Sequence, residues 1–280
     1  PILVWLLNTA FAVVPDTPEQ TLKSASTTTY YPLACKLGKI ANMMPLSDCC
    51  TPLDGHWPLP VPLPGTVFLS TKFDPALLIP SDFQHSEVHP PVSIQRSVAK
   101  RQVEFLAGRL CARAALQQID HLDCVPAIGE DRAPVWPEHI IGSITHSTGH
   151  AAAVVGHKAQ WLGLGIDLEN MLTLKRAERL AGDILTSEEL QRMATVPRDK
   201  IALLVTLTFS IKESMFKALY PIVHKRFYFE HAEVLEWSES GHIRLRLLAD
   251  LSAQWCHGTE LTAQFALHDG QLISMVAIGA

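Results

Sequence analysis

The amino-acid sequence predicts an α+β protein made of two similar halves, and three observations carry that reading. A strand, a long helix and more strands are followed by a second strand, more helices and a strand-rich end. Apolar residues recur at three- and four-residue spacing in the long segments and at two-residue spacing in the short ones. The chain has 280 residues and is 48% hydrophobic, enough to fill one large core or two small ones.

The N-terminal stretch from Ile2 to Val14 is apolar. It is too short for a membrane span, and no basic lead or small-residue cleavage pattern marks it as a secretory signal. Ser and Thr crowd residues Thr21 to Thr29, and six prolines fall between Pro45 and Pro64. Pro58, Pro60, Pro62 and Pro64 suit extended chain and oppose helices and central strands. Residues 1–64 are therefore expected to form an extension or linker outside the core. A net charge of −5 gives no global basic field for nucleic acid. Cys35, Cys49, Cys50, Cys111, Cys124 and Cys256 show no CxxC pair. They are expected as reduced thiols of a cytoplasmic protein, with no zinc site or disulfide framework.

The core is expected to open with a strand at Thr66–Ser70, followed after a Pro-containing loop by a helix from Val92 to Ile119. Val103, Leu106, Leu110 and Ala114 form its buried stripe. Arg101, Phe105, Arg109 and Arg113 make a second stripe every four residues. Such stripes are usually solvated, but Arg forks also suit phosphate. Residues 126–137 read as loop around Gly129-Glu-Asp-Arg-Ala-Pro134. Strands follow at Ile140–Ser147 and Ala151–Val155, where Gly142, Thr145 and His146 offer a ligand close approach. One histidine among 13 is more often structural than functional.

In the strand Gly163–Glu169, side chains alternate between two faces. Leu162, Leu164, Ile166 and Leu168 make an aliphatic face; Gly163, Gly165, Asp167 and Glu169 make the other. Two carboxylates on one face repel unless a cation lies between them or one is protonated. Helices are expected at Thr173–Leu180, behind a capping box at Thr186-Ser-Glu-Glu189, and from Arg198 to Tyr220, ending at Pro221. Glu213 and Lys217 share a face of the last one, an ordinary i,i+4 pair unless Lys212 and the earlier acids add to it. Together the acids and lysines suggest a divalent metal that meets a phosphorylated ligand. Strands at 243–247, 261–267 and 271–278 complete the chain, the last two joined at His268-Asp-Gly270.

Gly165-Ile-Asp-Leu-Glu169 and Phe209-Ser-Ile-Lys-Glu-Ser-Met-Phe-Lys217 together resemble the paired motifs of 4′-phosphopantetheinyl transferases. Arg101-Gln-Val-Glu-Phe-Leu-Ala-Gly-Arg109, Gly129–Pro137 and Gly142-Ser-Ile-Thr-His-Ser147 look like the upstream motifs of that family. The set fits best its siderophore-synthase branch, the enterobactin synthase component D type, over residues 67–278. The resemblance implies a pseudo-twofold pair of α/β halves, residues 65–160 and 161–280, the second carrying the metal site. Residues 1–64 have no counterpart in the family.

The implied reaction moves the 4′-phosphopantetheine arm of coenzyme A onto a serine of an apo carrier protein, a carrier domain of nonribosomal peptide or siderophore synthesis. Attack on a pyrophosphate needs charge neutralisation, which carboxylate-held Mg²⁺ supplies. Asp167, Glu169, Glu213 and the Leu168 carbonyl are the expected ligands. Lys212 and Lys217 are expected at the pyrophosphate, bordered by Asp167 and Glu213, with Lys217 assisting the leaving phosphate. Glu213 would take the serine proton, directly or through a water. Motif matching assigns Arg101, Arg109 and Arg132 to coenzyme A phosphates, and Thr145 and His146 to its 3′-phosphate and adenosine side; Arg113 stays structural. Residues 218–230, with Lys225, Arg226, Phe227 and Tyr228, form the candidate carrier-protein patch. A monomer is expected because both halves lie in one chain. The alternatives are another Mg²⁺-dependent phosphotransferase, against which stands the lack of a P-loop or kinase motif, and a noncatalytic module binding coenzyme A or carrier protein.

Overall fold

The computed structural model describes residues 36–37, 47–268 and 270–280. The apolar stretch 2–14, the Ser/Thr-rich stretch 21–29, Cys35, Pro45 and Asp269 lie outside the described residues. Two antiparallel sheets each carry one long helix. In the first half, β1 (Thr66–Lys72), β2 (Ile140–Ser147) and β3 (His150–His157) pair in the order β1-β3-β2. Helix α1 (Ala99–Asp120) covers this sheet.

The second half begins with β4 (Trp161–Asn170), then α2 (Leu174–Ile184), α3 (Ser187–Met193) and α4 (Ile201–Val223). Strands β5 (Ala232–Trp237), β6 (His242–Leu247), β7 (Glu260–His268) and β8 (Gln271–Gly279) complete a sheet ordered β4-β8-β7-β6-β5. Leu207, Ile211, Met215 and Leu219 on α4 bury against Leu245, Leu272 and Val276 of this sheet. Each such side chain removed from water contributes about 1.5–3 kcal/mol. That apolar seam fixes which face of α4 turns toward β4.

Among the boundaries that differ from the sequence reading, three have a clear physical reason. Helix α1 starts at Ala99, after a separate turn at Val92–Gln95. Gln102 stabilises the break, its amide donating to the carbonyls of Ser97 at 2.7 Å and Gln95 at 3.1 Å. Helix α4 runs past Pro221 to Val223 and ends on His224, whose φ is 49°. A proline this near the end removes only one helical hydrogen bond, so the last turn still closes. The segment from Ser47 to Pro64, expected outside the core, contributes buried Cys49, Cys50 and Leu59. Its prolines cannot donate, yet residues between them do: Thr51 N–H bonds the Lys72 carbonyl and Asp54 N–H that of Ser70.

Cys49, Cys50, Cys111 and Cys256 are free, whereas Cys124 is disulfide-bonded, so reduced thiols throughout is not the outcome. Among the described residues, no helix is long and apolar enough to cross a membrane.

Candidate active site

The site grows from β2, whose two faces serve different neighbours. Its odd residues face β4: Ser143 Oγ accepts the Ile166 N–H at 3.1 Å, and Thr145 Oγ1 accepts the Leu168 N–H at 3.0 Å. These side-chain bonds, rather than a backbone ladder, join the two sheets. Its even residues face α1, where the Ile144 side chain lies 2.9 Å from where a methyl at Gly108 would stand. His146 lies on that same side.

Beside α1, Arg101 Nη1 donates to His146 Nε2 at 2.7 Å and lies 3.3 Å from Glu104 Oε2. Burial, then the positive charges of Arg101 and Lys217, push the His146 pKa down to about 3. The ring is therefore neutral, and with Nε2 accepting, its proton sits on Nδ1. Nδ1 is buried without a hydrogen-bond partner, 3.6 Å from Glu104 Oε2. Arg109 is also buried, its guanidinium 4.9 Å from the Phe105 ring centre, and its Nε has no partner. Burial and the nearby Arg101 lower its pKa to about 10, so it stays charged at neutral pH. Unsatisfied buried donors are costly, and here two share one neighbourhood.

Across β2 lies the acidic group. Asp167 is buried, Glu169 is half-buried on the same strand, and Glu213 is buried on α4. Burial first, then Asp167, raises Glu169 to about 9 and Glu213 to about 7. Lys217 Nζ lies 2.7 Å from Asp167 Oδ1 and 3.0 Å from the Ile166 carbonyl. Burial pulls its pKa down, but Asp167, Glu213 and Glu169 outweigh that and hold it above the ordinary value. Asp167 Oδ2 is buried without a hydrogen-bond partner.

The glycines of β4 do not make room for a ligand. A side chain at Gly165 would strike the Ser214 carbonyl, and one at Gly163 the Ala218 carbonyl. The bulky neighbour is α4 itself, and this close approach brings Glu213 and Lys217 to Asp167.

Of the expected site residues, Asp167, Glu169, Glu213 and Lys217 come together at the β4–α4 contact, and Arg101, Arg109 and His146 at the α1–β2 contact. Leu168 donates its N–H toward β2, so its carbonyl points to that same edge of β4. Thr145 joins the clusters: its hydroxyl lies 3.4 Å from Asp167 Oδ1 while holding Leu168. Arg132 is exposed in the 129–133 turn with a φ of 72°. Lys212 departs from expectation. It is buried and bonds Glu189, Ile184 and Phe229 instead of facing the site. In the carrier patch, Phe227 is buried, Lys225 bonds the Asp250 carbonyl, and Tyr228 is exposed. Glu104 was not singled out from the sequence; its place three residues after Arg101 is the signal that marks it.

Mg²⁺ favours hard oxygen ligands. The three carboxylates, two of them held toward protonation by burial and then by the nearby Asp167, and the orphaned Asp167 Oδ2 fit that chemistry. Among the described residues, however, no three acid, His or Cys side chains already converge as a finished metal cage.

An α+β chain that sets a buried cation and a second unsatisfied buried donor against clustered acids across one strand has the parts of a phosphate-handling transferase. A family model for the 4′-phosphopantetheinyl transferase N-terminal domain matches residues 89–156, and one for the 4′-phosphopantetheinyl transferase superfamily matches residues 163–273. Enterobactin synthase component D of Escherichia coli K12 is 38% identical over 158 residues, covering 56% of this chain and 73% of that protein. Its Salmonella typhimurium counterpart is 32% identical over 227 residues, covering 80% and 91% respectively. The 4′-phosphopantetheinyl transferase PptT of Mycobacterium tuberculosis is 32% identical over 195 residues, covering 67% and 83%. The chain belongs to the 4′-phosphopantetheinyl transferase superfamily, and within it to the enterobactin synthase component D type.

Proposed function

We propose that this protein transfers the 4′-phosphopantetheine arm of coenzyme A to a serine of an apo carrier protein. The carrier is a domain of nonribosomal peptide or siderophore synthesis, and adenosine 3′,5′-bisphosphate is released. The observation that carries this reading is the pairing across β2 of two unsatisfied buried donors, the cationic Arg109 and the neutral His146, with a carboxylate cluster. One side suits the phosphates of a nucleotide; the other suits a divalent cation facing a pyrophosphate.

Arg101, Arg109 and His146 bind coenzyme A in this reading. The Arg109 Nε–H and His146 Nδ1–H have donors to give, and charge-assisted bonds to phosphate are the strong ones. Arg132 adds a cation from its loop, and Thr145 acts by positioning Asp167 and Leu168. Asp167, Glu169, Glu213 and the Leu168 carbonyl would hold Mg²⁺, which when bound neutralises pyrophosphate charge.

The serine Oγ attacks the phosphorus bearing the pantetheine arm, and the bond from that phosphorus to the bridging oxygen breaks. Glu213 accepts the serine proton directly or through a water. Lys217 keeps its proton at neutral pH and offers it to the departing phosphate oxygen. The coenzyme A donor implies a cytoplasmic setting, and both clusters in one chain allow a monomer to act. The test is intact-mass measurement of several apo carrier proteins incubated with coenzyme A, Mg²⁺ and this protein. A gain of one phosphopantetheine is expected; no gain on any carrier rejects the reading.

A further inference from the structure

Lys212 and Glu189 take no part in the chemistry above, yet they form a tightly buried ion pair. The Lys212 side chain is 1% exposed and that of Glu189 4%. All of the ammonium donors are used: Nζ lies 2.6 Å from Glu189 Oε2, 2.9 Å from the Ile184 carbonyl and 3.1 Å from the Phe229 carbonyl. Glu189 is equally committed. Its Oε2 also accepts the Thr186 N–H at 2.8 Å, closing the cap of α3, and its Oε1 accepts the Val234 N–H at 2.6 Å.

The pair thus ties the end of α2, the cap of α3, the turn before β5 and β5 itself to α4, at the residue just before Glu213. An ammonium with three acceptors has no donor left for a phosphate. A buried ion pair is also weak evidence for stability, since apolar residues of similar volume often serve as well. What this pair does supply is position. Successive residues on a helix point about 100° apart, so Lys212 anchors one side of α4 while Glu213 turns toward β4.

We infer that Lys212 and Glu189 are positioning residues that fix α4 so that Glu213 meets Asp167. The inference rests on the proposed metal role of Glu213. It sets apart the two members of the Lys-Glu dipeptide: the lysine holds the helix and the glutamate serves the site.

The test uses the full chain and the variants Lys212→Met, Glu189→Gln and both together. Mn²⁺ binding is measured by calorimetry without substrates, with melting temperature and the Mg²⁺ dependence of transfer alongside. Each single variant should weaken Mn²⁺ binding about tenfold to a hundredfold, as loss of a ligand-orienting partner does. The double variant should lose no more than either single one, because the two residues act as a unit. Glu189→Gln keeps a side chain able to close the capping box, so it carries the test even if Lys212→Met does not fold. Unaltered Mn²⁺ binding in folded Glu189→Gln overturns the inference, as do losses that simply add in the double variant. Mn²⁺ binding that survives Glu213→Gln sinks the parent assignment of that ligand, a different outcome.

Discussion

Lys217 Nζ sits 2.7 Å from one oxygen of Asp167 and leaves the other buried without a hydrogen-bond partner. A carboxylate half-satisfied in this way is stable only if something else meets its second oxygen. A metal ion would do so, and Lys217 would then stand beside both the metal and the leaving phosphate. Lys217→Met should therefore lower kcat about 10²- to 10³-fold, the usual loss on removing one transition-state donor. Asp167→Asn should abolish the EDTA-sensitive part of the transfer. A Lys217→Met protein with unchanged kcat would remove this lysine from the chemistry.

The carboxylate cluster makes a pH prediction with a definite sign. Glu213 and Glu169 have folded pKa values near 7 and 9, above the ordinary 4.5. The metal-free folded state therefore holds protons that the unfolded state has released. Their contribution to stability is full below pH 4.5 and is lost as pH rises through about 7 and then about 9. Metal ligation needs the ionised forms, so the melting-temperature gain on adding Mg²⁺ should grow from pH 6 to pH 9, with proton release in calorimetry. Glu213→Gln should remove the part of that rise centred near 7. A gain independent of pH would exclude these acids as ligands.

Arg109 and His146 each carry a buried donor with no partner, and each is expected to give it to coenzyme A. Arg109→Met, which keeps most of the volume, should cost about 1.5–3 kcal/mol of binding, the worth of a hydrogen bond to a charged group. That cost corresponds to a rise of roughly tenfold to a hundredfold in KM for coenzyme A. KM for the carrier protein should stay unchanged. The opposite split, with carrier KM rising and coenzyme A KM constant, would assign this pocket to the other substrate.

The local chemistry of the site was legible in the sequence because it lies in short, regular segments. Alternation along β4 put Asp167 and Glu169 on one face, and the four-residue step put Lys217 over Glu213. The capping box at Thr186 and Glu189 was equally visible. Long-range packing was not. Lys212 reads as one more cation beside Glu213, and only its long-range bonds to Glu189, Ile184 and Phe229 show it turned inward. The segment from Ser47 to Pro64 reads as linker by composition, although its donors between prolines pair with an edge strand. Residue spacing also cannot tell what a glycine makes room for.

That last point gives a prediction at a residue with no ionisable group of its own. The Gly165 backbone lies so close to α4 that an added methyl would meet the Ser214 carbonyl, with the Ala218 nitrogen 2.7 Å away. Neither contact is the loose end of a flexible side chain, so relief requires α4 to move as a body. Overpacking of this kind costs about 1–3 kcal/mol. It should also lift Glu213 and Lys217 away from Asp167. Gly165→Ala is therefore expected to lower the melting temperature and to weaken Mn²⁺ binding together. Gly182→Ala serves as the control, because nothing lies within 4 Å of the added methyl in the last turn of α2. A Gly165→Ala protein that loses stability but binds Mn²⁺ as before would show that the metal ligands do not depend on how closely α4 approaches β4.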